Sequence, residues 1–357
     1  MQARARRIVA IVTVCGEVGA PAGVGRIADS ARARGALNRL RAEVGKVVVG
    51  QDPAVTGLVI ALLCQGHVLL EGVPGVAKTL MVRTLSAALA LDTKRLQFTP
   101  DLMPGDVTGS LVYDARTAEF SFRPGPVFTN LLLADEINRA PAKVQSALLE
   151  VMQERQVTIA GRTHRVPDPF LVLATQNPIE NEGTYPLPEA QLDRFLLKIV
   201  VGHLEAAEEA VVLGRSLGPA PEVRPMLSLD DLRAFQRVTR EVYVDPRLLA
   251  YVVDLVNATR APGEHGFDRL APYIAHGASP RGALGLVHAA RALALLRGRG
   301  YVVGRDLAHL AHDVLRHRLV LSYDALADGV TADEVLSAVL DELPPPQLEL
   351  SYTEATA

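Results

Sequence analysis

The fold of this chain is decided by one glycine-rich stretch, Gly72-Val73-Pro74-Gly75-Val76-Ala77-Lys78-Thr79, which directly follows the apolar run His67-Val68-Leu69-Leu70-Glu71. The apolar run predicts a buried strand, the glycines predict a tight turn, and the residues from Lys78 onward predict a helix. Backbone N–H groups in such a turn point inward and form a nest for a polyphosphate, and the positive end of the helix adds to it. The stretch therefore predicts a phosphate-binding loop between a strand and a helix.

Residues within this loop have separate predicted roles. Lys78 would reach the β- and γ-phosphates of a nucleotide, and the hydroxyl of Thr79 would hold Mg²⁺. Ala77 stands where the strict motif has its third glycine, and alanine is compatible with helical φ, so a first-turn position accepts it. A glycine-punctuated turn with a solvated lysine is the alternative interpretation. We assign nucleotide contact to the loop and the residue after it: Gly72, Val73, Pro74, Gly75, Val76, Ala77, Lys78, Thr79 and Leu80.

Composition narrows the class of protein. The length of 357 residues predicts about two domains, and 49% hydrophobic with 22% charged residues is typical of a globular chain. The net charge is 37 − 40 = −3, so no basic excess favours nucleic acid or an anionic membrane as partner. The two cysteines, Cys15 and Cys64, exclude a disulfide framework and a cysteine-rich zinc site. No stretch of the sequence has the length of a membrane span.

The first 35 residues differ from the rest of the chain. Arginines precede an apolar run over residues 8–15, and Ala20-Pro21-Ala22 resembles a signal-peptide cleavage site. The run is short, however, and Glu17 interrupts the approach to that site. ATP is also scarce outside the cytoplasm, so we favour a cytoplasmic protein over an exported one. Residues 1–35 are predicted to be a loosely ordered extension or the product of an upstream start codon, with regular structure from near Ala36.

A second apolar run, Leu131-Leu132-Leu133-Ala134-Asp135-Glu136, ends in two acids. Such runs fit strands of a parallel sheet that are buried on both faces, and ligands bind at the carboxyl ends of those strands. Asp135 would anchor Mg²⁺ opposite Thr79, and Glu136 could polarise the water that attacks the γ-phosphate. An apolar strand that ends in acids also arises by chance, so this assignment depends on the phosphate loop upstream.

Three further polar residues have two readings each. Asn177 follows another buried strand and could orient the lytic water, or it could be a turn asparagine before proline. Arg194 could pair with Asp193 on the surface, or be a cation aimed at the γ-phosphate of a neighbouring subunit. Arg281 lies in the first turn of a helix capped by Ser279, where a cation opposes the helix dipole unless an anion lies nearby. A triphosphate would supply that anion, although an exposed arginine also tolerates the position.

The order of elements predicts the domain organisation. Alternating strands and helices predict an α/β core with a doubly wound, five-stranded parallel sheet over residues 36–216. Hairpins are expected around Val112 to Phe122 and over residues 155–169. A proline-rich linker over 217–225 leads to an all-α domain over 226–343 and a tail over 344–357.

Two clusters in the helical region have ordinary explanations. His309, Asp313 and His317 share one helix face, but no fourth ligand is evident, so we do not assign them to a metal. Arg297 and Arg299 are interpreted as favourable charges at a helix C-terminus rather than as a nucleic-acid patch.

The complete set of motifs resembles the MoxR family of AAA+ ATPases over residues 36–340. Alanine at position 77 is familiar in that family. The most family-specific phrases are Gln97-Phe98-Thr99-Pro100-Asp101-Leu102, Ala134-Asp135-Glu136-Ile137-Asn138-Arg139-Ala140 and Leu187-Pro188-Glu189-Ala190-Gln191-Leu192-Asp193-Arg194-Phe195.

Family membership implies roles that spacing alone leaves open. Asn177 matches sensor 1, and Arg281 matches sensor 2 on a helical lid. Arg194 matches an arginine finger that acts across a subunit boundary, which implies a homo-oligomeric ring, most often a hexamer. Val49 and Gly50 match the segment that lines the adenine pocket. Residues 105–126 resemble the helix-2 insert and residues 155–169 the pre-sensor hairpin, both expected to face a central pore.

The resemblance also implies an activity. It implies a Mg²⁺-dependent, ring-forming ATPase that binds ATP and acts as a chaperone-like remodeller in maturation, assembly or metal-cofactor insertion of a client protein. A von Willebrand factor A domain protein is an expected partner. Neither a nucleic-acid partner nor a membrane span is expected. The alternative is a nucleic-acid-stimulated AAA+ motor or loader, which predicts salt-sensitive DNA binding.

Overall fold

A computed structural model describes residues 25–178, 183–219 and 221–347 of the chain. These residues form two compact units, the first of which spans Ala31–Thr239. Its strands are β1 (Val68–Glu71), β2 (Thr93–Gln97), β3 (Gly109–Asp114), β4 (Glu119–Pro124), β5 (Leu131–Asp135), β6 (Gln156–Ile159), β7 (Arg162–Arg165), β8 (Leu171–Gln176) and β9 (Leu197–Val200). Its helices are α1 (Gly25–Gly45), α2 (Asp52–Cys64), α3 (Lys78–Ala88), α4 (Pro104–Thr108), α5 (Ala142–Glu154), α6 (Glu189–Leu192), α7 (Ala206–Ser216) and α8 (Leu229–Glu241).

Five of these strands form one parallel sheet in the order β2-β5-β8-β1-β9, which confirms the predicted fold class. Every residue of β5 is buried, as are the first five of β8, because both faces of the sheet are covered. The phosphate loop follows β1, Asp135 ends β5, and Asn177 follows β8. All three therefore lie at the carboxyl edge of the sheet, where open α/β sheets bind their ligands.

The apolar core that holds this edge in place lies on the side of the sheet that α5 covers. Phe98, Phe170 and Phe195 are fully buried there, together with Leu132 of β5 and Leu148 of α5. Each such side chain stabilises the fold by about 1.5–3 kcal/mol relative to its exposure to water. The strand ends are thus fixed by packing that does not depend on the polar residues beyond them.

The two predicted hairpins are both present. Strand β3 pairs with β4 in antiparallel fashion, and β6 pairs with β7 across a turn at Ala160-Gly161. Both turn residues have positive φ, 48° and 77°, as a tight two-residue hairpin turn requires. The β3–β4 hairpin exposes Tyr113 and Phe120, whose ring centroids lie 5.1 Å apart.

Regular structure starts earlier in the chain than the sequence predicts. Helix α1 begins at Gly25, within the region predicted to be a loose extension over residues 1–35. Ala33, Leu37, Leu40 and Val44 are buried at helical spacing, so the apolar stripe continues upstream of residue 36. The apolar run over residues 8–15, on which the question of export depends, lies outside the described residues.

The second unit runs from Arg240 onward and is mainly helical. It contains α9 (Pro246–Arg260), α10 (Pro280–Leu296), α11 (Gly304–Leu315), α12 (Tyr323–Asp328), α13 (Ala332–Glu342) and a short antiparallel pair, β10 (Ile274–His276) with β11 (Val320–Leu321). The predicted cap of α10 is present, since Ser279 accepts from the Arg281 N–H at 3.1 Å, and Asp245 caps α9 by accepting from the Arg247 N–H at 2.8 Å. None of the helices described has the length and apolar character needed to cross a bilayer.

Helix α8 was predicted within the all-α domain over 226–343, but it packs in the first unit. The side-chain amide of Gln236 donates to the Leu62 carbonyl at 2.8 Å, and that of Gln65 donates to Gln236 Oε1 at 2.9 Å. Leu232 and Phe235 of the same helix are buried. The proline-rich stretch predicted as a linker over 217–225 therefore connects two helices of one unit.

The arginines after α10 also differ from expectation. Arg297 and Arg299 do not simply offset a helix dipole, because both donate to the fully buried carboxylate of Asp306 at 2.7–2.9 Å. Asp313 accepts from Arg316 at 2.6 Å, and burial raises its pKa. Within the part of the chain that the structure describes, no three acidic, histidine or cysteine side chains are grouped to hold a metal ion.

Candidate active site

The phosphate loop closes over its own lysine. The Gly72 N–H donates to the Gln176 carbonyl at 3.3 Å, which ties the start of the loop to β8. Lys78 Nζ donates to the carbonyls of Gly72, Val73 and Gln176, the last two at 3.2 Å. The ammonium group is therefore held at the base of the loop, where β1 and β8 end.

Two residues of the phosphate loop have a left-handed backbone, and for Ala77 this was not expected. Gly75 and Ala77 both have positive φ, at 87° and 63°. Ala77 is the N-cap of α3 in the left-handed region, not a right-handed first-turn residue as expected. Right-handed helical backbone begins one residue later, at Lys78. An alanine cannot cap with its side chain, so the first N–H groups of α3 are available to an anion.

Asp135 accepts hydrogen bonds from three neighbouring side chains. The hydroxyl of Thr79 lies 3.3 and 3.2 Å from its two carboxylate oxygens, and the hydroxyl of Thr175 donates to Oδ1 at 2.6 Å. The guanidinium of Arg95 donates to Oδ2 twice, from Nε at 3.2 Å and from Nη2 at 2.8 Å. The Thr79 hydroxyl and the Asp135 carboxylate are hard oxygen donors of the type that Mg²⁺ prefers, so this pair fits that ion.

Glu136 lies beside this cluster with its own partners. Its Oε2 accepts from the amide of Gln97 at 2.7 Å and lies 3.1 Å from Arg139 Nε. Its backbone N–H donates to the Thr175 hydroxyl at 2.9 Å, and its φ of 55° is left-handed. The backbone thus turns sharply after Asp135, which directs two consecutive carboxylates to different partners.

The segment predicted to line an adenine pocket and the phosphate loop both contact the residues that follow β9. Gln51, just after Val49 and Gly50, donates to the Gly202 carbonyl at 3.1 Å. A Cβ on Gly72 would lie 2.5 Å from the carbonyl oxygen of Val201, so the loop packs directly on the chain that leaves β9. The residues that follow β9 therefore connect the two predicted parts of a nucleotide site.

Three other predicted residues lie on three different elements of the fold. Asn177 is buried directly after β8, and its carbonyl accepts from the Asn138 side chain at 3.3 Å. Arg194 follows α6, and its buried Nε has no hydrogen-bond partner among the described residues. Arg281 is exposed in the first turn of α10, within the second unit. The first unit alone therefore brings together the loop, Asp135, Glu136 and Asn177.

Comparisons with known proteins agree with this arrangement. Residues 67–197 match the model of the ATPase family associated with various cellular activities (AAA), and residues 267–339 match the AAA lid domain. The chain is 52% identical to "Chaperone MoxR1" of Mycobacterium tuberculosis over 87% of this chain and 83% of that protein. It is 34% identical to "Protein MoxR" of Methylorubrum extorquens over 88% and 96%.

The chain belongs to the MoxR family of AAA+ ATPases. A further relative supports this, "Uncharacterized protein YeaC" of Bacillus subtilis, which is 46% identical over 85% of this chain and 94% of that protein. A solved structure supports it as well. That structure, of a proposed ATPase from Cytophaga hutchinsonii, is 44% identical, has a TM-score of 0.84 and covers 89% of this chain and 97% of its own. Like the rest of its family, this chain is an ATP-hydrolysing enzyme with an α/β core and a lid.

Sequence reasoning missed four residues of this MoxR-family site. Arg95, Gln97, Arg139 and Thr175 all contact Asp135 or Glu136, yet none was assigned a role. The structure shows why two of them lie at the site. Gln97 is the last residue of β2, at the carboxyl edge where parallel sheets bind ligands. Because β2 is next to β5, Arg95 and Gln97 lie beside the acids.

Proposed function

We propose that this chain is a Mg²⁺-dependent AAA+ ATPase of the chaperone type, which assembles as a ring and remodels a client protein. The observation that carries the proposal is the contact of Thr79 with Asp135, at 3.2–3.3 Å, directly beside a lysine-filled phosphate loop. Thr79 and Asp135 would hold Mg²⁺, and residues 72–80 would surround the phosphates. Val49 and Gly50 would contact the adenine. When bound, the ion would neutralise charge on the β- and γ-phosphates.

Each side chain of the site has a proposed task in hydrolysis. Lys78 leaves its backbone carbonyls and donates to the β- and γ-phosphate oxygens, while the N–H groups at the start of α3 hold the same oxygens in place. Glu136 accepts a proton from the attacking water as general base. Asn177 orients that water from the end of β8. Glu136 and Asn177 directly follow β5 and β8, so the sheet holds both residues in place before the substrate arrives, whereas Lys78 has to exchange its partners.

Two arginines complete the site on grounds of family resemblance. Arg194 would stabilise the γ-phosphate of the adjacent subunit in trans, and Arg281 would act in cis on the same charge. We propose a hexameric ring because Arg194 matches the family's arginine finger, which acts across a subunit boundary.

We propose a class of client protein on the basis of a relative's name. The relative from Mycobacterium tuberculosis is named a chaperone, and it shares more than half of its aligned residues with this chain. We therefore propose that ATP hydrolysis drives maturation, assembly or metal-cofactor insertion of a client protein in the cytoplasm, with a von Willebrand factor A domain protein as partner. The β3–β4 and β6–β7 hairpins are the proposed pore-facing elements.

Replacing Glu136 with glutamine tests the central assignment. We expect phosphate release to fall by about 10²- to 10⁴-fold, because a general base contributes that much, while binding of a fluorescent ATP analogue persists. The matched control is Glu150→Gln, which changes an exposed glutamate of α5 and should leave turnover unchanged. Turnover near the wild-type rate in the Glu136 variant would refute the proposed role.

A mixing experiment tests the ring. Arg194→Ala and Glu136→Gln subunits should each be inactive alone. Mixed rings contain interfaces with both groups intact, so mixing should restore part of the activity if Arg194 acts across the boundary. Native mass spectrometry of the same samples counts the subunits. Co-assembly without recovered activity would show that Arg194 does not act across the subunit boundary.

Adding DNA to the phosphate-release assay distinguishes the proposed function from that of a nucleic-acid motor or loader. A motor or loader would show ATPase stimulation by DNA that falls steeply with salt, since phosphate contacts release counterions. We expect no stimulation from single- or double-stranded DNA, because the chain as a whole has a net charge of −3.

A further inference from the structure

The Asp135 carboxylate has no acceptor site left for a metal ion or its bound water. A carboxylate offers about four lone-pair positions on its two oxygens. Oδ2 accepts twice from Arg95 and contacts Thr79, while Oδ1 accepts from Thr175 and contacts Thr79. The Thr79 hydroxyl has a single hydrogen, so the five contacts come from four donor hydrogens, which fill the four positions. A cation that binds at Asp135 must therefore replace at least one of the present donors.

Burial identifies which donor can leave. Thr175 is 1% exposed and also accepts the Glu136 N–H, so it is fixed within the sheet. Thr79 is itself the hydroxyl predicted to hold the ion. The Arg95 side chain is 53% exposed, whereas that of Asp135 is 8% exposed. Arg95 is therefore the one donor of the three that can swing into solvent without breaking the buried part of the cluster.

Charge makes the exchange favourable. A buried carboxylate that loses its only cation is strongly destabilised, so Asp135 needs a positive partner at all times. The guanidinium of Arg95 and a divalent ion can serve this need in turn, but two cations at one carboxylate repel each other. Arg95 also has an acceptor on its own strand, since its Nη2 lies 2.9 Å from Gln97 Oε1.

We infer that Arg95 is a counter-ion of Asp135 that Mg²⁺ displaces when the nucleotide binds. This inference rests on the proposed role of Asp135 in holding the ion. Arg95 then sets the metal affinity of the site: it balances the charge of Asp135 and orients its carboxylate at low Mg²⁺, and it makes the ion compete for its ligand. Arg95 is thus a positioning residue, with no contact to the phosphates required of it.

The test measures metal binding rather than turnover. Arg95→Gln removes the charge with little change in length, and Arg95→Lys keeps the charge on a different head group. Mn²⁺ is titrated in the presence of ADP, and its free concentration is read from its electron paramagnetic resonance signal. We expect Arg95→Gln to bind Mn²⁺ about three- to tenfold more tightly than wild type, and Arg95→Lys to remain near wild type, because the competing charge is what matters.

Two further variants make the outcomes distinct. Arg139→Ala removes an arginine from the neighbouring Glu136 and should change Mn²⁺ affinity less than Arg95→Gln does. Asp135→Asn should weaken Mn²⁺ binding. If Asp135→Asn has no effect, the proposed metal site is wrong and the role of Arg95 is rejected with it. If Asp135→Asn weakens binding while Arg95→Gln leaves it unchanged or weaker, only the displacement of Arg95 is rejected.

Discussion

Replacing Ala77 with glycine should raise the melting temperature of the protein measured without added nucleotide. Ala77 has φ 63° and ψ 21° at the N-cap of α3, in the left-handed region. An L-residue with a Cβ is disfavoured there by about 1–2 kcal/mol, and glycine is not. Glycine also gives the unfolded chain more freedom, which costs about 0.4–1 kcal/mol. The net gain is therefore about 0.5–1 kcal/mol.

This gain is measurable by differential scanning calorimetry of the full chain. For a unit of this size, 1 kcal/mol shifts the melting temperature by about 2–4 °C, so we expect a rise of about 1–4 °C in the transition of the α/β unit. Saturating ADP should still bind to the variant, because the N–H groups of the loop are unchanged by the substitution.

Ala87→Gly is the matched control for this experiment. It makes the same chemical change in the same helix, at an exposed position with ordinary helical backbone. There glycine should destabilise by about 1 kcal/mol, because it has the lower helix propensity. The two variants should therefore shift the transition in opposite directions. A fall of similar size for both would show that Ala77 is not left-handed, and the reasoning would be refuted.

Two further predictions concern buried charge. Asp306→Asn leaves Arg297 and Arg299 without their carboxylate. In chemical denaturation, it should lower the free energy of unfolding of the helical unit by about 2–3 kcal/mol. The control Asp341→Asn, at an exposed position, should change that free energy by less than about 0.5 kcal/mol. Burial lowers the pKa of His67 from 6.5 to about 3, so the unfolded chain binds the proton first and stability falls as pH drops below 6.5. Relative to His67→Gln, wild type should lose about 2 kcal/mol between pH 7 and 5; equal losses would contradict this.

The local signals in this sequence predict the elements well. The apolar run before the phosphate loop, the run that ends at Asp135 and the capping pairs in the helical unit all depend on neighbours within a few residues. The structure confirms each of them where it describes the chain. Boundaries that depend on packing were less predictable. Helix α1 extends upstream because Ala33 is buried, and α8 joins the first unit because Gln236 contacts Leu62.

Three of the four side chains that contact the two acids come from other strands and could not be predicted, whereas Arg139 lies only three residues after Glu136. Parallel register places Gln97 opposite Asp135, and Thr175 reaches Asp135 from β8 on the other side. Strand order is a property of the whole sheet, and no short pattern in the sequence encodes which strand lies beside β5. A motif can thus identify Asp135 and Glu136, while the groups that set their hydrogen bonding remain invisible until the topology is known.

The position of β2 beside β5 links the hydrogen bonds of the two acids. Asp135 and Glu136 are consecutive in the chain, yet the left-handed backbone at Glu136 separates their partners: Arg95 reaches the first and Gln97 the second. Arg95 and Gln97 are two residues apart on one strand and are joined by a hydrogen bond of 2.9 Å. Because β2 supplies a partner to each carboxylate, a change at Asp135 can reach the hydrogen bonds of Glu136 through Arg95 and Gln97.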